Sequence, residues 1–307
     1  MRNFITLVAL AMLAACSTNG QRPLFAGNLD RLGPFDSAFV PARDVDVWTP
    51  PGYPNGAPYD VLYMHDGQNL FDATTTWNGL EWRVDETATA LIQTDRTRPF
   101  IVVAIHNADN RRHAEYFPEK PWRRIDESTR NEYLAVEREP GVNLFETDVD
   151  SDNYLKFLVN ELKPYIDREY AVAITREHTF VAGSSMGGLI SLYALAEYPD
   201  IFGGAACLST HWLGTWTEPQ NPHPDAFLAY FRDALPAPGT HKIYFDHGDL
   251  GLDAYYGEHQ ARVDEMMGEL GFTAPNWVTR TFEDADHSET AWARRLKLPL
   301  TFLMGER

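Results

Sequence analysis

The sequence predicts an α/β fold on a mostly parallel, doubly wound sheet, with an antiparallel start and helices on both faces. Three observations lead there. Short, almost continuous apolar runs recur at residues 61–64, 101–105, 180–182, 205–208 and 243–245, as do strands buried on both faces of a parallel sheet. Stretches of helical period lie between them. An earlier run, residues 43–48, alternates instead through Val45 and Val47 and meets the turn Pro50-Pro51-Gly52, the pattern of a half-exposed antiparallel strand.

In chain order, the first segment reads as a leader. Arg2 supplies the positive start, residues 4–13 an apolar core, and Leu13-Ala14-Ala15-Cys16 resembles a bacterial lipobox. Residues 1–15 are therefore expected to be a lipoprotein signal peptide, 16–27 a tether acylated at Cys16, and 28–307 one α/β domain. The apolar run is too short for a stable transmembrane helix. Ser17, where sorted lipoproteins retained at the inner membrane carry aspartate, makes the periplasmic face of a bacterial outer membrane the expected location. Cys207 is the only other cysteine, so with Cys16 acylated no disulfide is expected and stability rests on the core.

The later elements follow by period. Tyr154, Phe157, Leu158 and Leu162 mark one helix; Val263, Met266, Met267 and Leu270 mark another, stopped at Gly271. Residues 277–282 read as a last strand. Residues 107–148 and 211–240, rich in Pro and Trp, lack clear period and read as excursions over the sheet's carboxyl edge, where ligands bind in such folds. At 44% hydrophobic and 13% aromatic residues the chain can bury a large core. A formal net charge of −18 argues against nucleic acid as a partner and against polybasic membrane docking, and disfavours strongly anionic substrates.

Gly183-Ser184-Ser185-Met186-Gly187 lies between the apolar run 179–182 and a helix-period stretch through Leu189, Leu192, Tyr193 and Ala196. That is the strand–turn–helix setting of a G-x-S-x-G nucleophile elbow. Ser185 is the candidate nucleophile, and a serine hydroxyl needs a base within reach. Of ten histidines, none shows metal-ligand spacing and no metal or cofactor is expected. His287 stands out by following the last strand and the acidic turn Glu283-Asp284-Ala285-Asp286. The acid belongs between them in the order Ser…Asp…His. Asp246, Asp249 and Asp253 follow the 243–245 run; Asp246 lies too near the strand end, which leaves Asp249 and Asp253. The N–H of Met186, at the positive end of the helix after Ser185, is one expected oxyanion donor.

Residues 47–53 (V-W-T-P-P-G-Y), 63–71 (Y-M-H-D-G-Q-N-L-F), 112–118 (R-H-A-E-Y-F-P), the elbow and 287–292 (H-S-E-T-A-W) together resemble the esterase family of α/β-hydrolases. That family includes esterase D, enterochelin and feruloyl esterases and the mycolyltransferases. The resemblance spans residues 39–305. It implies an α/β-hydrolase fold, the N–H of Gln68 in the Asp66-Gly67-Gln68 turn as second oxyanion donor, and Asp253 rather than Asp249 as the acid. Arg112, Tyr116 and Trp212 are further expected to shape a substrate pocket, with Glu115, Trp122 and Trp216 as weaker candidates; Trp292 is expected to pack the histidine loop. The expected activity is a cofactor-independent serine carboxylesterase acting through an acyl-enzyme on a small-molecule or oligosaccharide-linked ester, siderophore lactones included. The alternatives are acyl transfer by the same residues or a catalytically silent binding protein on this fold. Intact Ser, His and Asp candidates favour an enzyme.

Overall fold

The apolar runs become strands. A computed structural model describes residues 24–215, 221–239 and 241–305; the segment expected to be a leader, Cys16 and Trp216 lie outside them. The strands are β1 (Asn28–Arg31), β2 (Val45–Thr49), β3 (Asp60–His65), β4 (Phe100–Ile105), β5 (Glu137–Glu139), β6 (Val142–Asn143), β7 (Thr179–Ser184), β8 (Gly204–Leu208), β9 (Lys242–His247) and β10 (Trp277–Thr281). β5 and β6 form a separate hairpin. The other eight make one sheet in the order β1-β2-β4-β3-β7-β8-β9-β10. Only β2 runs antiparallel to its neighbours; every other pairing in this sheet is parallel.

Successive residues of a strand point to opposite faces, and here both faces are covered. Val61, Tyr63, Val103, Val181, Ala205 and Phe245 pack into one core; Leu62, Met64, Val102, Ala182, Ala206 and Tyr244 pack into the other. The first core lies under α5 (Ser151–Phe157), α6 (Lys163–Glu169), α7 (Met186–Glu197), α8 (His223–Ala234) and α9 (Tyr256–Glu269). The second lies under α1 (Val84–Gln93), α10 (Glu289–Arg295) and α11 (Lys297–Met304). The remaining short helices α2 (Arg112–Tyr116), α3 (Glu119–Arg123) and α4 (Glu127–Leu134) belong to the excursion after β4.

Two local readings change. β2 is not half exposed: all five of its residues are buried, because Val45 and Val47 pack into one core and Trp48 into the other. Its one charged side chain is neutralised in place. Asp46 accepts from Arg31 at 2.7 Å and meets His106 Nε2 at 2.9 Å. The helix through Tyr154 and Leu162 continues past Leu162 into α6, joined to α5 by a π-turn at Leu158–Leu162. Pro164 explains the widened turn, since a proline in mid-helix has no N–H to donate and its ring crowds the carbonyl four residues back.

Candidate active site

The carboxyl ends of β3, β4 and β7 and the loop after β10 converge on one cavity of about 920 Å³, lined by Ser185 and His287 together with Gln68 and Arg112. Ser185 has φ 57° and ψ −124°, a strained conformation for a residue with a Cβ, at the cap of α7. What holds it there is close packing. A Cβ on Gly183 would come within 2.7 Å of the Gly187 main chain, so β7 and α7 can approach only if residue 183 is glycine. Gly187 is less demanding, since a Cβ there would meet His65 Cβ and Asp66 Oδ2 at 3.4 Å. Met186 opens α7, so its N–H is among the four that a helix leaves without an internal partner.

The histidine is oriented by one carboxylate. His287 Nδ1 lies 2.6 Å from Asp253 Oδ1, which leaves Nε2 as the ring's other polar atom. Asp253 sits in the 3₁₀ turn Gly251–Tyr255 and is fully buried. Asp249 is exposed, its own N–H donating to the Ala285 carbonyl at 3.0 Å; Asp246 lies within β9. Burial opposes ionisation of Asp253, but the hydrogen bond and charge of His287, with donors from Ser209 and Gly248, outweigh it and hold the carboxyl below its ordinary value. Ser209 Oγ and the Gly248 N–H each donate to Asp253 Oδ2 at 2.6 Å.

Ser209 is a residue the sequence did not point to. Its hydroxyl also accepts from Trp292 Nε1 at 2.9 Å and from Arg295 at 2.8 Å. Arg295 in turn pairs with Asp246 at 3.0 Å, and burial pushes the Asp246 carboxyl up to about 6. Trp292 packs edge-on to His287 with centroids 5.0 Å apart. Tyr256 was missed too. Its hydroxyl lies 2.7 Å from His211 Nδ1 and against Ser185. The one available signal was position: Ser209 directly follows a strand end, where this sheet gathers its polar groups.

On the opposite wall, Asp66 takes a left-handed conformation at φ 58° and starts the turn Gly67–Asn69 that carries Gln68. Gly67 has no room for a Cβ, which would lie 2.6 Å from the Ala104 carbonyl carbon. Arg112 grips both oxygens of Asp66 at 2.7 Å, and Asn107 donates to Oδ1 at 2.6 Å. Burial opposes the charge on Asp66, but Arg112 prevails and lowers its carboxyl. Burial holds neighbouring His65 down to about 3, its Nδ1 2.8 Å from the Tyr154 hydroxyl. Among the described residues no three His, Cys, Asp or Glu side chains gather as a metal site.

The aromatic pocket expected from the sequence is corrected by burial. Tyr116 is 0% exposed and lies behind the wall, its hydroxyl accepting the Asp66 N–H at 3.3 Å. Trp212 is 2% exposed, packs on Phe231 and Phe245, and donates to Gln260 at 2.9 Å. Trp122 and Glu115 are equally buried, Glu115 holding Arg43 through two bonds of 2.7 and 2.9 Å. Rings of this size sit in the core because the excursions bring their own hydrophobic packing. Of the three residues expected at the pocket, only Arg112 lines the cavity.

A sheet of this order with its polar groups gathered at the carboxyl edge defines an α/β-hydrolase. More particularly, the chain belongs to the family described as “Putative esterase”, which matches residues 41–300. A curated relative, the uncharacterized protein YbbA of Bacillus subtilis, is 21% identical over 276 residues, 86% of this chain and 93% of that one. Among solved structures, a ferulic acid esterase of Anaeromyces mucronatus bound to ferulic acid is similar at TM-score 0.60 and 16% identity, covering 92% of this chain and 94% of that one. An IroE-like serine hydrolase of Shewanella oneidensis is similar at TM-score 0.62 and 16% identity, covering 90% and 79%. At such identity the likeness is one of fold. The family makes the chain an esterase.

Proposed function

We propose that the protein is a serine carboxylesterase in which Ser185, His287 and Asp253 act as nucleophile, base and acid. The observation that carries this reading is the strained Ser185 at the head of α7, in one cavity with a histidine whose Nδ1 is held by a buried carboxylate at 2.6 Å. With Nδ1 bound to Asp253, the neutral imidazole presents Nε2 as a proton acceptor. Ser185 Oγ attacks the ester carbon as its proton passes to Nε2. The oxyanion rests on the N–H groups of Met186 and Gln68. Collapse breaks the bond to the alcohol, which leaves with the proton from His287, and water then attacks the acyl-enzyme by the same route in reverse. Water is the proposed acceptor; acyl transfer to a second alcohol would use the same residues. We also propose that Cys16 carries lipid and holds the domain on the periplasmic face of an outer membrane, a reading that rests on residues 13–16.

Turnover of 4-nitrophenyl acetate tests the mechanism. Ser185→Ala is expected to remove several orders of magnitude of kcat while circular dichroism stays unchanged. A folded variant with near wild-type turnover would refute the nucleophile.

A further inference from the structure

Phe25, Trp77 and Leu80 are 67%, 85% and 38% exposed, and hydrogen bonds tie them to one side of the domain. Trp77 and Leu80 stand in the loop between β3 and α1. The Phe25 N–H donates to Oδ2 of Asp85, in the first turn of α1, at 2.6 Å. The loop is held to α10, for Asn78 Nδ2 donates to Glu289 Oε2 at 2.8 Å. A single exposed apolar side chain is ordinary, but several on one side of a domain mark a surface that something meets.

Beside them lies a groove of about 780 Å³ between α1 and the α10–α11 pair, with Leu80 on its wall. Its charged lining is Glu81, Arg83, Glu86, Arg294 and Lys297. Glu81 is buried, and Arg83 pairs with Glu86 at 3.1 Å. That leaves Arg294 and Lys297, both exposed and in no ion pair among the described residues. The chain as a whole carries a formal charge of −18. An anionic surface therefore repels most of the domain and is met best by a face where cations stand free.

The chain also leaves the domain here. Leu24 packs on the second core and lines a smaller cavity with Gln68 and Thr75, which both face the Ser185 cavity as well. Leu24 is eight residues beyond Cys16, a span of about 28 Å when fully extended. A domain of this length is about 50 Å across. A lipid on Cys16 thus keeps this side close to the bilayer and the far side out of reach. Ile174, 62% exposed, precedes β7 at the opposite, amino edge of the sheet.

We propose that the face formed by α1, α10 and the loop bearing Trp77 docks on a lipid bilayer. Phe25, Trp77 and Leu80 enter the interface, and Arg294 and Lys297 meet lipid phosphates. This rests on the reading of Cys16 as the lipid-bearing residue. An indole suits such a place, since its ring is apolar while its N–H stays with headgroup water. The acyl anchor keeps the face at high local concentration beside the bilayer, so weak contacts suffice to orient the domain. Trp77 also lines the Ser185–His287 cavity, and docking sets that cavity beside the membrane surface.

The test uses the full-length protein, processed in its native host and reconstituted from detergent into vesicles of phosphatidylethanolamine and phosphatidylglycerol. Pure phosphatidylcholine vesicles are the comparison without net charge. Mass spectrometry of the mature N-terminus reports whether Cys16 is acylated. Brominated phospholipid is expected to quench a component of tryptophan fluorescence that Trp77→Phe lacks. A reporter placed by Ile174→Trp in the Trp77→Phe background is expected to stay unquenched. Arg294→Glu with Lys297→Glu is expected to leave turnover of 4-nitrophenyl acetate unchanged and to weaken quenching on phosphatidylglycerol vesicles, each basic side chain shifting the docked population about fivefold. On phosphatidylcholine the same pair of substitutions should change little. An acylated protein whose Trp77 escapes quenching, or whose Ile174→Trp reporter is quenched, overturns the docking and leaves the lipid on Cys16 standing. Quenching on phosphatidylglycerol that charge reversal does not move also overturns this face. A mature chain without lipid overturns both readings.

Discussion

Asp253→Asn tests the mechanism most sharply, because its surroundings dictate how the new amide must sit. Oδ2 receives the Gly248 N–H at 2.6 Å, and a backbone N–H cannot reverse its role. The oxygen of the introduced amide must therefore occupy the Oδ2 position. That turns its NH₂ group toward His287 Nδ1, which in the native protein lies 2.6 Å from the carboxylate. A donor there makes Nδ1 the acceptor, so the proton moves to Nε2 and the ring cannot receive the serine proton. The expected loss in kcat is on the order of 10⁴, about 5 kcal/mol of transition-state stabilisation. The assay is steady-state turnover of 4-nitrophenyl acetate by Asp253→Asn and Asp249→Asn, with Ser185→Ala as the floor and circular dichroism as the check on folding. A folded Asp253→Asn enzyme within tenfold of wild type, beside a dead Asp249→Asn enzyme, would refute this account and move the acid to Asp249.

Ser209→Ala should leave the buried donors of Trp292 and Arg295 without their shared acceptor; at about 1–3 kcal/mol per lost partner, the melting temperature should fall by about 4 °C or more, and an unchanged melt would contradict that. Stability should also fall as pH drops below about 6.5, because burial holds His65, His211 and His223 down to about 3. Above 6.5 neither state takes up the proton and nothing is lost. At pH 5 the unfolded chain gains protons that the folded one refuses, about 2 kcal/mol per histidine, while the raised carboxyl of Asp246 returns about 1 kcal/mol. Urea midpoints at pH 7.5 and 5 measure this, and equal midpoints would rule it out. Cys16→Ala in the native host should accumulate unprocessed precursor in the membrane fraction; unchanged processing would indicate an ordinary signal cleavage.

Strand positions, the elbow and its helix were legible because each is written in local order. A strand buried on both faces must be apolar at every position, and the Val61, Ile101, Phe180, Ala205 and Ile243 runs are. The left-handed turn at Ser185 needs glycine at 183, where the helix main chain leaves no room for a Cβ. Residue order left two carboxylates open as the partner of His287, the family resemblance pointed to Asp253, and tertiary structure decided between them. Asp249 and Asp253 are four residues apart in one loop, and only the fold of the Gly251–Tyr255 turn buries one and exposes the other. It alone decided the fate of the aromatic residues, since a Trp in a Pro-rich excursion reads the same whether it meets substrate or core. Trp212 met Phe231 and Phe245, whereas Trp77 stayed in solvent. The shell of Ser209, Tyr256 and Arg295 joins residues from three separate elements, and contacts between groups so far apart in the chain leave no period or spacing to read. Local periodicity and steric need determine the scaffold and the strained turn at Ser185, while the carboxylate that meets His287 and the walls of the site are set by which distant segments packing brings together.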